Sequence, residues 1–230
     1  MQSTINSTSV KEFFKSIQGE GPYMGVEQVF IRFCKCNLNC AYCDTDFYKD
    51  ENCKNYTPSE LFDEIKKLNI NNIHSISLTG GEPLMDSDFL LDFLPLTGKK
   101  IYLETNGTLP DKLKEVIDII DIVSMDVKLD SASKTKDLFD KHKDFIEVCV
   151  QNKKEIFLKL VVDENITDDE IEKSIELAKP HNLTIILQPL MIETGMKSDI
   201  SKTLNIFEKF ATKYSNVRLI PQVHKFLNVE

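Results

Sequence analysis

The chain has 230 residues, 41% of them hydrophobic and 28% charged, and its 28 basic and 37 acidic residues give a formal charge of -9. The apolar fraction excludes a disordered chain, and the length suits one large α/β domain. No segment approaches the roughly 18 uncharged apolar residues that a membrane helix needs, and the first residues lack the pattern of a signal peptide. The acidic balance argues against a broad nucleic-acid surface. We therefore expect a cytoplasmic protein that binds neither nucleic acid nor a membrane.

Apolar patterns predict strands that alternate with helices along the whole chain. The predicted strands cover residues 27–33, 74–79, 101–104, 122–127, 155–162, 183–187 and 217–220. Capping boxes at Thr57 and Thr167, a proline at position 110, and candidate caps at Asp86 and Ser198 begin the helices between them, and a further helix is expected up to about residue 150.

Six or seven strand–helix units require a parallel sheet with right-handed crossovers. A complete eight-stranded barrel usually needs about 250 residues. The predicted fold class is therefore α/β, an incomplete TIM-type barrel of about six βα units. An open doubly wound sheet is the alternative, although no Gly-x-Gly-x-x-Gly turn follows the first strand.

Polar residues follow these strands at their carboxyl ends, which is where parallel α/β folds bind ligands. Besides the cysteine cluster they are residues 79–83 and 104–107, Ser124, Asp126, Lys128, Lys159, Asp163, Gln188, Pro189, Gln222 and His224. Their convergence on one face of the sheet predicts a single site there.

Cys36-x3-Cys40-x2-Cys43 places three cysteines on one short segment after the first strand. A structural zinc site normally has four ligands, commonly in two separated pairs. Three thiolates instead leave one iron of a [4Fe–4S] cluster without a protein ligand, and an open position is where chemistry can occur. Such a cluster is therefore favoured.

The other three cysteines stand outside this motif. Cys34 lies two residues before it and could complete a zinc-binding interaction module, which remains an alternative. Cys53 and Cys149 are isolated, and we expect both to be ordinary unpaired thiols.

The Cys-x3-Cys-x2-Cys motif, with Tyr42 before its last cysteine and Gly80-Gly81-Glu82-Pro83 after the second strand, resembles radical S-adenosylmethionine (SAM) enzymes. Residues 14–22, Gly25, residues 29–33, Cys43-Asp44-Thr45 and the tail at 221–225 resemble the 7-carboxy-7-deazaguanine synthase family more narrowly. The resemblance spans the chain. It implies a single domain over 1–230, with an N-terminal substrate-contacting segment (1–26), a radical SAM core (27–190) and a C-terminal segment (191–230) that completes the site.

The resemblance implies a carbon–nitrogen lyase. The family converts 6-carboxy-5,6,7,8-tetrahydropterin to 7-carboxy-7-deazaguanine with loss of ammonia, in the biosynthesis of queuosine and related 7-deazapurines. The implied cofactors are a [4Fe–4S] cluster, SAM used catalytically, and Mg²⁺. The implied partners are the pterin substrate, an external electron donor such as flavodoxin or ferredoxin, and a second copy of the chain in a homodimer.

The resemblance also assigns roles to residues of this sequence. Cys36, Cys40 and Cys43 would ligate the cluster that generates the radical, and Thr45 would ligate Mg²⁺. The residues that would contact SAM are Tyr42, Asp44, Gly80, Gly81, Glu82, Ser124, Asp126, Lys128, Gln188, Pro189 and Leu190. Here Ser124-Met125-Asp126-Val127-Lys128 departs from the Ser-Pro-Lys of many relatives.

Substrate contacts follow from the same resemblance. They are Ile17, Gln18, Gly19, Glu20, Arg32, Thr79, Gln222 and His224. Arg32 is one of only two arginines, and a guanidinium can bind a carboxylate through two parallel hydrogen bonds, which lysine cannot do. The amide of Gln18 offers the donor and acceptor that a pterin edge requires.

A different radical SAM protein, an activase that installs a glycyl radical on a partner, is a second alternative. Such activases share the cysteine and Gly-Gly-Glu-Pro motifs. They lack the Gln18-Gly19-Glu20-Gly21 stretch and the threonine at the position of Thr45.

Overall fold

The computed structural model describes residues 6–43, 53–192, 195–227 and 229, and its main element is a mixed sheet of nine strands. The strands are β1 (Thr8–Ile17), β2 (Glu27–Phe33), β3 (Lys54–Tyr56), β4 (Ser75–Gly80), β5 (Ile101–Thr105), β6 (Ile122–Asp126), β7 (Glu155–Val162), β8 (Ile185–Pro189), β9 (Met191–Ile192), β10 (Gly195–Met196) and β11 (Val217–Leu219). The α-helices are α1 (Pro58–Lys66), α2 (Ser87–Thr97), α3 (Pro110–Val116), α4 (Asp130–Ser133), α5 (Phe139–Gln151), α6 (Asp168–Ala178), α7 (Ile200–Ala211) and α8 (Val223–Leu227). In the described ranges, no helix is both long and apolar enough to cross a membrane.

Seven strands of the sheet are parallel neighbours in the order β11-β8-β7-β6-β5-β4-β2. Six crossovers connect them, which confirms the predicted α/β class with about six βα units. β1 pairs antiparallel with β2, and β3 pairs antiparallel with β1 at the edge, while β9 and β10 form a separate hairpin. All successive parallel strands therefore present their carboxyl ends on the same side.

The two faces of the sheet have different chemistry because side chains alternate along a strand. On β7, Leu158 and Leu160 belong to the main apolar core beneath the helices. Lys159 and Val161 point to the opposite face and line a cavity, while Phe157 lies below them. Burial of each large apolar side chain in the core contributes about 1.5–3 kcal/mol, so the helix-covered face holds the sheet and leaves the other face available for a site.

The loop between β1 and β2 fills the inner face of the sheet. Gln18 donates hydrogen bonds to Gln28 on β2 and to Glu104 on β5, each at 3.0 Å. Gly21 has φ +64°, and a Cβ there would lie 2.9 Å from the ring of Phe157 on β7. One loop thus contacts three separate strands, which shows that the inner face is concave, as in the predicted incomplete barrel. Below the loop, a small apolar cluster consists of Tyr23, Tyr102, Ile122, Phe157, Ile186 and Ile220.

The predicted helix starts are confirmed where local chemistry decides them. Thr57 and Thr167 each accept a hydrogen bond from the backbone of a glutamate three residues later, which completes both capping boxes. Asp86 precedes α2 but makes no side-chain cap. The prediction for Ser198 is wrong, because Asp199 caps α7 and the Ser198 hydroxyl accepts from the Glu164 backbone instead.

β1 was not predicted from its sequence. Its pairing with β2 shifts between Val10 and Glu12, so a bulge interrupts the alternation of apolar and polar residues. Phe13 and Phe14 then stand side by side and hide the period of two. The helix predicted up to about residue 150 is also wrong in part, since α4 and α5 are separate.

The prediction for Cys53, one of the two isolated cysteines, is wrong. Cys34, at the end of β2, forms a disulfide with Cys53, at the start of β3, with their Cα atoms 6.3 Å apart. Neither residue is an unpaired thiol, and Cys34 is not available as a fourth zinc ligand. The expectation for Cys149 holds, because it is buried in the core outside any disulfide.

Candidate active site

A cavity of about 350 Å³ opens at the carboxyl ends of the parallel strands. The predicted site residues that line it are Ile17, Gln18, Gly19, Glu20, Arg32, Cys36, Cys40, Tyr42, Cys43, Thr79, Gly80, Gly81, Ser124, Asp126, Lys128, Gln188, Pro189, Leu190, Gln222 and His224. Glu82 lies behind this lining, and Asp44 and Thr45 lie outside the described residues. One cavity thus joins residues 34–43, which we call the cysteine segment, to the strand ends and to both terminal segments.

The cysteine segment is docked by polar contacts with the strand ends. The side chains of Asn37 and Asn106 form a hydrogen bond of 2.8 Å, and Asn37 donates to the hydroxyl of Thr108 at 2.8 Å. On its other side, the Ala41 amide donates to the Ser133 carbonyl at 2.8 Å. The segment is therefore held at both sides by β5 and α4, even though it contains no helix or strand of its own.

The three cysteines of the motif fit an iron–sulfur cluster better than a single ion. All three line the cavity and none is in a disulfide. Burial raises the pKa of the Cys36 thiol and raises that of Cys40 to about 11, so a bound cation is needed to stabilise their thiolates. Among the described side chains, no three cysteines, histidines or carboxylates are grouped to hold one metal ion. A cluster does not require such a group, because each cysteine binds a different iron.

The Gly80–Gly81 turn needs glycine because of contacts within the protein, and its predicted contact with SAM stays a prediction. A Cβ on Gly81 would lie 1.8 Å from the carbonyl oxygen of Lys35, and a Cβ on Gly80, where φ is +99°, would lie 2.5 Å from the nitrogen of Phe33. Both glycines therefore permit β4 to pack against the start of the cysteine segment, where the Glu82 amide donates to the Lys35 carbonyl at 2.6 Å.

Glu82 is completely buried, and its carboxylate faces the protein. It accepts hydrogen bonds from the Thr105 hydroxyl and the Asn106 amide, each at 2.8 Å, and from the Leu84 amide at 3.2 Å. Burial raises its pKa to about 7, against the effect of these donors. The carboxylate thus joins the ends of β4 and β5, and the predicted contact of Glu82 with SAM stays a prediction.

A chain of charged side chains crosses the cavity from the cysteine segment to the N-terminal loop. The ammonium of Lys128 lies 2.8 Å from Asp126 and 3.2 Å from the Tyr42 hydroxyl. Lys159 lies 3.8 Å from the same carboxylate of Asp126 and 2.5 Å from Glu20. The cavity is therefore lined by paired charges, and the two lysines bridge its two ends.

The pKa values of Lys128, Lys159 and Glu20 reflect these ion pairs. Burial by itself would lower the pKa of Lys128 and Lys159, but Asp126 and Glu20 respectively raise both above the ordinary value. Burial would raise the pKa of Glu20, yet Lys159 and the Gln222 amide lower it to about 2. All three groups are therefore charged at neutral pH.

The side-chain amide of Gln18 makes three hydrogen bonds within the protein. It donates to Gln28 and Glu104, and its oxygen accepts from the Glu20 amide at 3.0 Å. Both amide hydrogens are therefore used within the protein, and the oxygen keeps one acceptor position, so the predicted contact of Gln18 with the pterin edge stays a prediction. Glu104, which also accepts from Thr79 at 2.8 Å, lines the cavity as well.

Arg32 lies on the inner face of β2 and lines the cavity. Its Nε is 2.8 Å from the Glu12 carboxylate, at an angle that does not suit a hydrogen bond, so the contact is an ion pair. Its guanidinium also lies 6.0 Å from the centre of the Phe14 ring. Glu12 and Phe14, both on β1, therefore set the position of the guanidinium.

The C-terminal segment closes the cavity against the N-terminal loop. Gln222 donates to Glu20 at 2.7 Å, and the Val223 amide donates to the Gly19 carbonyl at 2.9 Å. A Cβ on Gly19 would lie 2.2 Å from Nδ1 of His224, so only glycine leaves room for this imidazole. The structure thus brings both predicted terminal segments into one wall.

Two buried acceptors on the cavity wall have no hydrogen-bond partner among the described residues. They are Oδ1 of Asp126 and Oε1 of Gln188, at the ends of β6 and β8. Buried polar atoms normally have a partner, so these two oxygens are well placed to accept from a polar ligand.

Glu104 and Lys159 line the cavity, as their predicted positions at strand ends indicated, although neither was given a role there. Glu12 also lines the cavity and was not predicted. Glu12 carried no such signal, because it lies on β1, where the bulge hides the strand.

Comparisons with known proteins agree with this architecture. Residues 30–178 match the model of the radical SAM superfamily, so the chain belongs to that superfamily. The fold is similar to that of QueE from Escherichia coli, with a TM-score of 0.63 and 20% identity over 95% of both chains. It is also similar to anSMEcpe with bound AdoMet, with a TM-score of 0.54 and 21% identity over 78% of this chain and 57% of that one.

Full-length relatives narrow the class further. The chain is 37% identical to the 7-carboxy-7-deazaguanine synthase of Geobacter sulfurreducens over 95% of this chain and 96% of that protein. It is 32% identical to the enzyme of the same name from Methanothermobacter thermautotrophicus over 96% and 97%. The chain belongs to the 7-carboxy-7-deazaguanine synthase family.

Proposed function

We propose that this protein is a radical SAM lyase that converts 6-carboxy-5,6,7,8-tetrahydropterin to 7-carboxy-7-deazaguanine with loss of ammonia. The observation that carries the proposal is one cavity with two chemically different ends. The cysteine segment forms one end, and Arg32, Thr79 and Glu104 face the other. A radical source and a small anionic, nitrogen-rich substrate would thus share one enclosed space.

In this proposal Cys36, Cys40 and Cys43 would hold a [4Fe–4S] cluster, and the cavity that these cysteines line would bind SAM. Together the bound cofactors supply one-electron chemistry that removes a hydrogen atom from the substrate. Asp126 Oδ1 and Gln188 Oε1 are the acceptors offered to polar hydrogens of SAM. Ser124, Lys128 and residues 188–190 line the same region, which supports their predicted contacts.

The substrate end is proposed to bind the pterin through charge and shape. Arg32 meets the substrate carboxylate, while Glu104 and Thr79 offer acceptor and donor groups to the nitrogen-rich ring. Glu20, Gln222 and His224 line the cavity and would exclude water from the bound pterin. Lys159 holds Glu20 and faces Asp126, so it positions both ends of the cavity without itself being assigned to the chemistry.

Several parts of the proposal come from the family resemblance. We propose that Thr45 supplies a hydroxyl ligand to Mg²⁺, that a flavodoxin- or ferredoxin-type donor reduces the cluster in the cytoplasm, and that the chain forms a homodimer. The chain would act as one domain over 1–230, in which residues 1–26 and 191–230 complete the site around the core at 27–190.

The decisive experiment is an anaerobic reaction of the reconstituted protein with the carboxytetrahydropterin, SAM, Mg²⁺ and a reductant. We expect a product with the mass of 7-carboxy-7-deazaguanine, one ammonia released for each product, and no net loss of SAM. Consumption of SAM without change in the pterin would favour the glycyl-radical activase. A colourless protein that holds one zinc and no iron would contradict both the lyase and the activase hypotheses. The Cys34–Cys53 disulfide already removes one of the four ligands that the zinc module needs.

Thr45 is tested separately. Thr45→Ala should lower turnover and remove its dependence on Mg²⁺, because a magnesium ion with few protein ligands depends on each of them. Thr45→Ser keeps the hydroxyl and serves as the matched control. An unchanged Mg²⁺ titration of the alanine variant would show that the ion binds elsewhere.

A further inference from the structure

The Cys34–Cys53 disulfide encloses the whole cysteine motif. The two residues are 19 apart in the sequence, and Cys36, Cys40 and Cys43 all lie between them. The crosslink therefore joins the two ends of the stretch 34–53, which contains the cysteine segment and, under the proposed function, carries the cluster.

The sheet brings these two ends together. Val10 on β1 pairs with Phe33 on one side and with Lys54 on the other, so Cys34 and Cys53 leave the sheet at neighbouring points. The Cys34 amide also donates to the Ser9 carbonyl at 3.1 Å. A thiol pair at these positions is thus held in reach by backbone pairing before any crosslink forms.

The two ends are held unequally without the crosslink. Cys34 continues from β2, an inner strand, and is itself buried. Cys53 precedes β3, a three-residue edge strand on which Lys54 and Asn55 are exposed. A short exposed edge strand has little buried surface and opens at low free-energy cost. The position of Cys53 therefore depends more on the disulfide than that of Cys34 does.

Cys53 is partly exposed, so an exchanging thiol can reach it, whereas Cys149 is enclosed in the core. In the exchange, a low-molecular-weight disulfide RSSR is attacked by one protein thiolate, releasing one RSH and leaving a mixed disulfide. The second protein thiolate then displaces the remaining RS group as RSH. The two cysteines lose two electrons and two protons, and RSSR gains both.

We propose that Cys34 and Cys53 are a reversible thiol–disulfide pair whose closed form fastens the cysteine segment to the sheet and keeps it in shape when the cluster is absent. Disulfides in cytosolic proteins are commonly of this transient, redox-responsive kind. A thiol pool rich in RSSR would close the pair. Residues 34–43 would then remain docked against the sheet and able to receive a new cluster.

The first test maps the cysteines of the full chain, cluster-loaded and purified without oxygen, in defined mixtures of reduced and oxidised glutathione. After acid quench, alkylation and mass spectrometry, Cys34 and Cys53 should convert together to an intramolecular crosslink as the mixture becomes oxidising. Cys149 should remain alkylated throughout. Two alkylated residues at 34 and 53 in the most oxidising mixture, or stable adducts of glutathione on either, would overturn the proposal.

The second test removes the cluster with a chelator and measures proteolysis of the full chain. Cleavage between residues 34 and 53 should be at least about tenfold faster for the dithiol form than for the disulfide form, because the crosslink suppresses local opening. Reloading of iron should be correspondingly slower for the dithiol form. Equal rates for the two forms would show that the disulfide has no role in holding the segment.

The paired variant Cys34→Ser/Cys53→Ser should behave as the dithiol form in every mixture, while Cys149→Ser should respond like the natural chain. The mapping of the unmutated chain gives a result even if the paired variant folds poorly. Neither readout uses the pterin reaction, so a failure of the proposed activity and a failure of this redox pair are distinguishable.

Discussion

At the scale of single residues, the cavity uses side chains whose partners lie on other elements. Arg32 on β2 is positioned by Glu12 and Phe14 on β1, and Glu20 in the N-terminal loop is held by Lys159 on β7. A charged group with a fixed partner retains its charge and direction inside a cavity, where an unpaired charge would be costly. Each of these positions is therefore sensitive to the identity of the side chain.

Arg32→Lys should raise the KM for the pterin about tenfold or more while kcat changes little. A lysine keeps the positive charge, but it cannot bind Glu12 and a substrate carboxylate with one planar group. The iron content should not change. Arg218→Lys, on the exposed face of β11, is the matched control and should leave the KM unchanged. An unaltered KM in the Arg32 variant would remove this residue from the substrate end.

We expect the buried His142 to make the free energy of unfolding depend on pH in the acid range. Its side chain is fully buried on α5, with Nε2 3.0 Å from the Asn106 carbonyl, and burial lowers its pKa from 6.5 to about 4 although that carbonyl opposes the shift. The unfolded chain therefore binds a proton more readily than the folded one. The stability linked to this group is intact above pH 6.5 and is lost as the pH falls towards 4, by about 3 kcal/mol at most.

His142→Gln should remove that loss, since glutamine can donate to the same carbonyl without titrating. Urea unfolding of the cluster-free protein between pH 7.5 and 4 measures the effect. The variant should lose less unfolding free energy than the natural protein across this range. Parallel curves for the two proteins would contradict a neutral, buried His142.

At the scale of elements, the site depends on how β4 meets the cysteine segment. The Gly80–Gly81 turn lets the backbone after β4 bond to the carbonyls of Phe33 and Lys35, and Glu82 then joins β4 to the end of β5. Asn106 at that end holds Asn37 of the cysteine segment. Three consecutive contacts thus transmit the position of the sheet to the cysteines.

Gly81→Ala should disrupt this sequence of contacts. Its Cβ would lie 1.8 Å from the Lys35 carbonyl, a backbone atom that cannot move without the segment. We expect the free energy of unfolding to fall by about 2–3 kcal/mol, together with the iron bound after reconstitution. In Gly98→Ala the added Cβ meets open space and only the positive φ is unfavourable, so the loss should be near 1 kcal/mol with iron binding unchanged. Equal iron contents in the two variants would place the effect of Gly81 elsewhere.

At the scale of the whole molecule, the two terminal segments meet across the cavity. Gln222 and Val223 bond to the loop at Gly19 and Glu20, and this contact lies beyond the last strand of the sheet. The sheet and its apolar core are complete at β11 without it. Closure of the cavity and stability of the fold are therefore separable.

Removal of residues 221–230 should weaken pterin binding about tenfold or more and leave the thermal midpoint nearly unchanged. The loss includes the hydrogen bond to the charged Glu20, and bonds of this type contribute about 1.5–3 kcal/mol. Titration with SAM alone should give a similar Kd in both proteins. A chain that lacks only residues 228–230 is the control. If the longer truncation binds the pterin normally, the C-terminal segment is not part of the substrate end.

The sequence by itself determined the features that depend on local order. Alternating strands and helices, the two capping boxes and the three-cysteine motif follow from residue types at short spacings, and they were sufficient to predict the incomplete barrel and a site at its strand ends. Most of the individual residues in the cavity lining were implied by the family resemblance. The sequence also contains only two arginines, and the one at position 32 lines the cavity.

The tertiary structure decided what depends on distant partners. Gln18 and Glu82 have the chemistry of ligand-binding residues, and both also form hydrogen bonds with protein groups that only folding brings near them. Cys34 meets Cys53 because β1 lies between their strands. Hydrogen bonds and disulfides form between groups that are close in space, whereas the sequence gives only the separation of those groups along the chain.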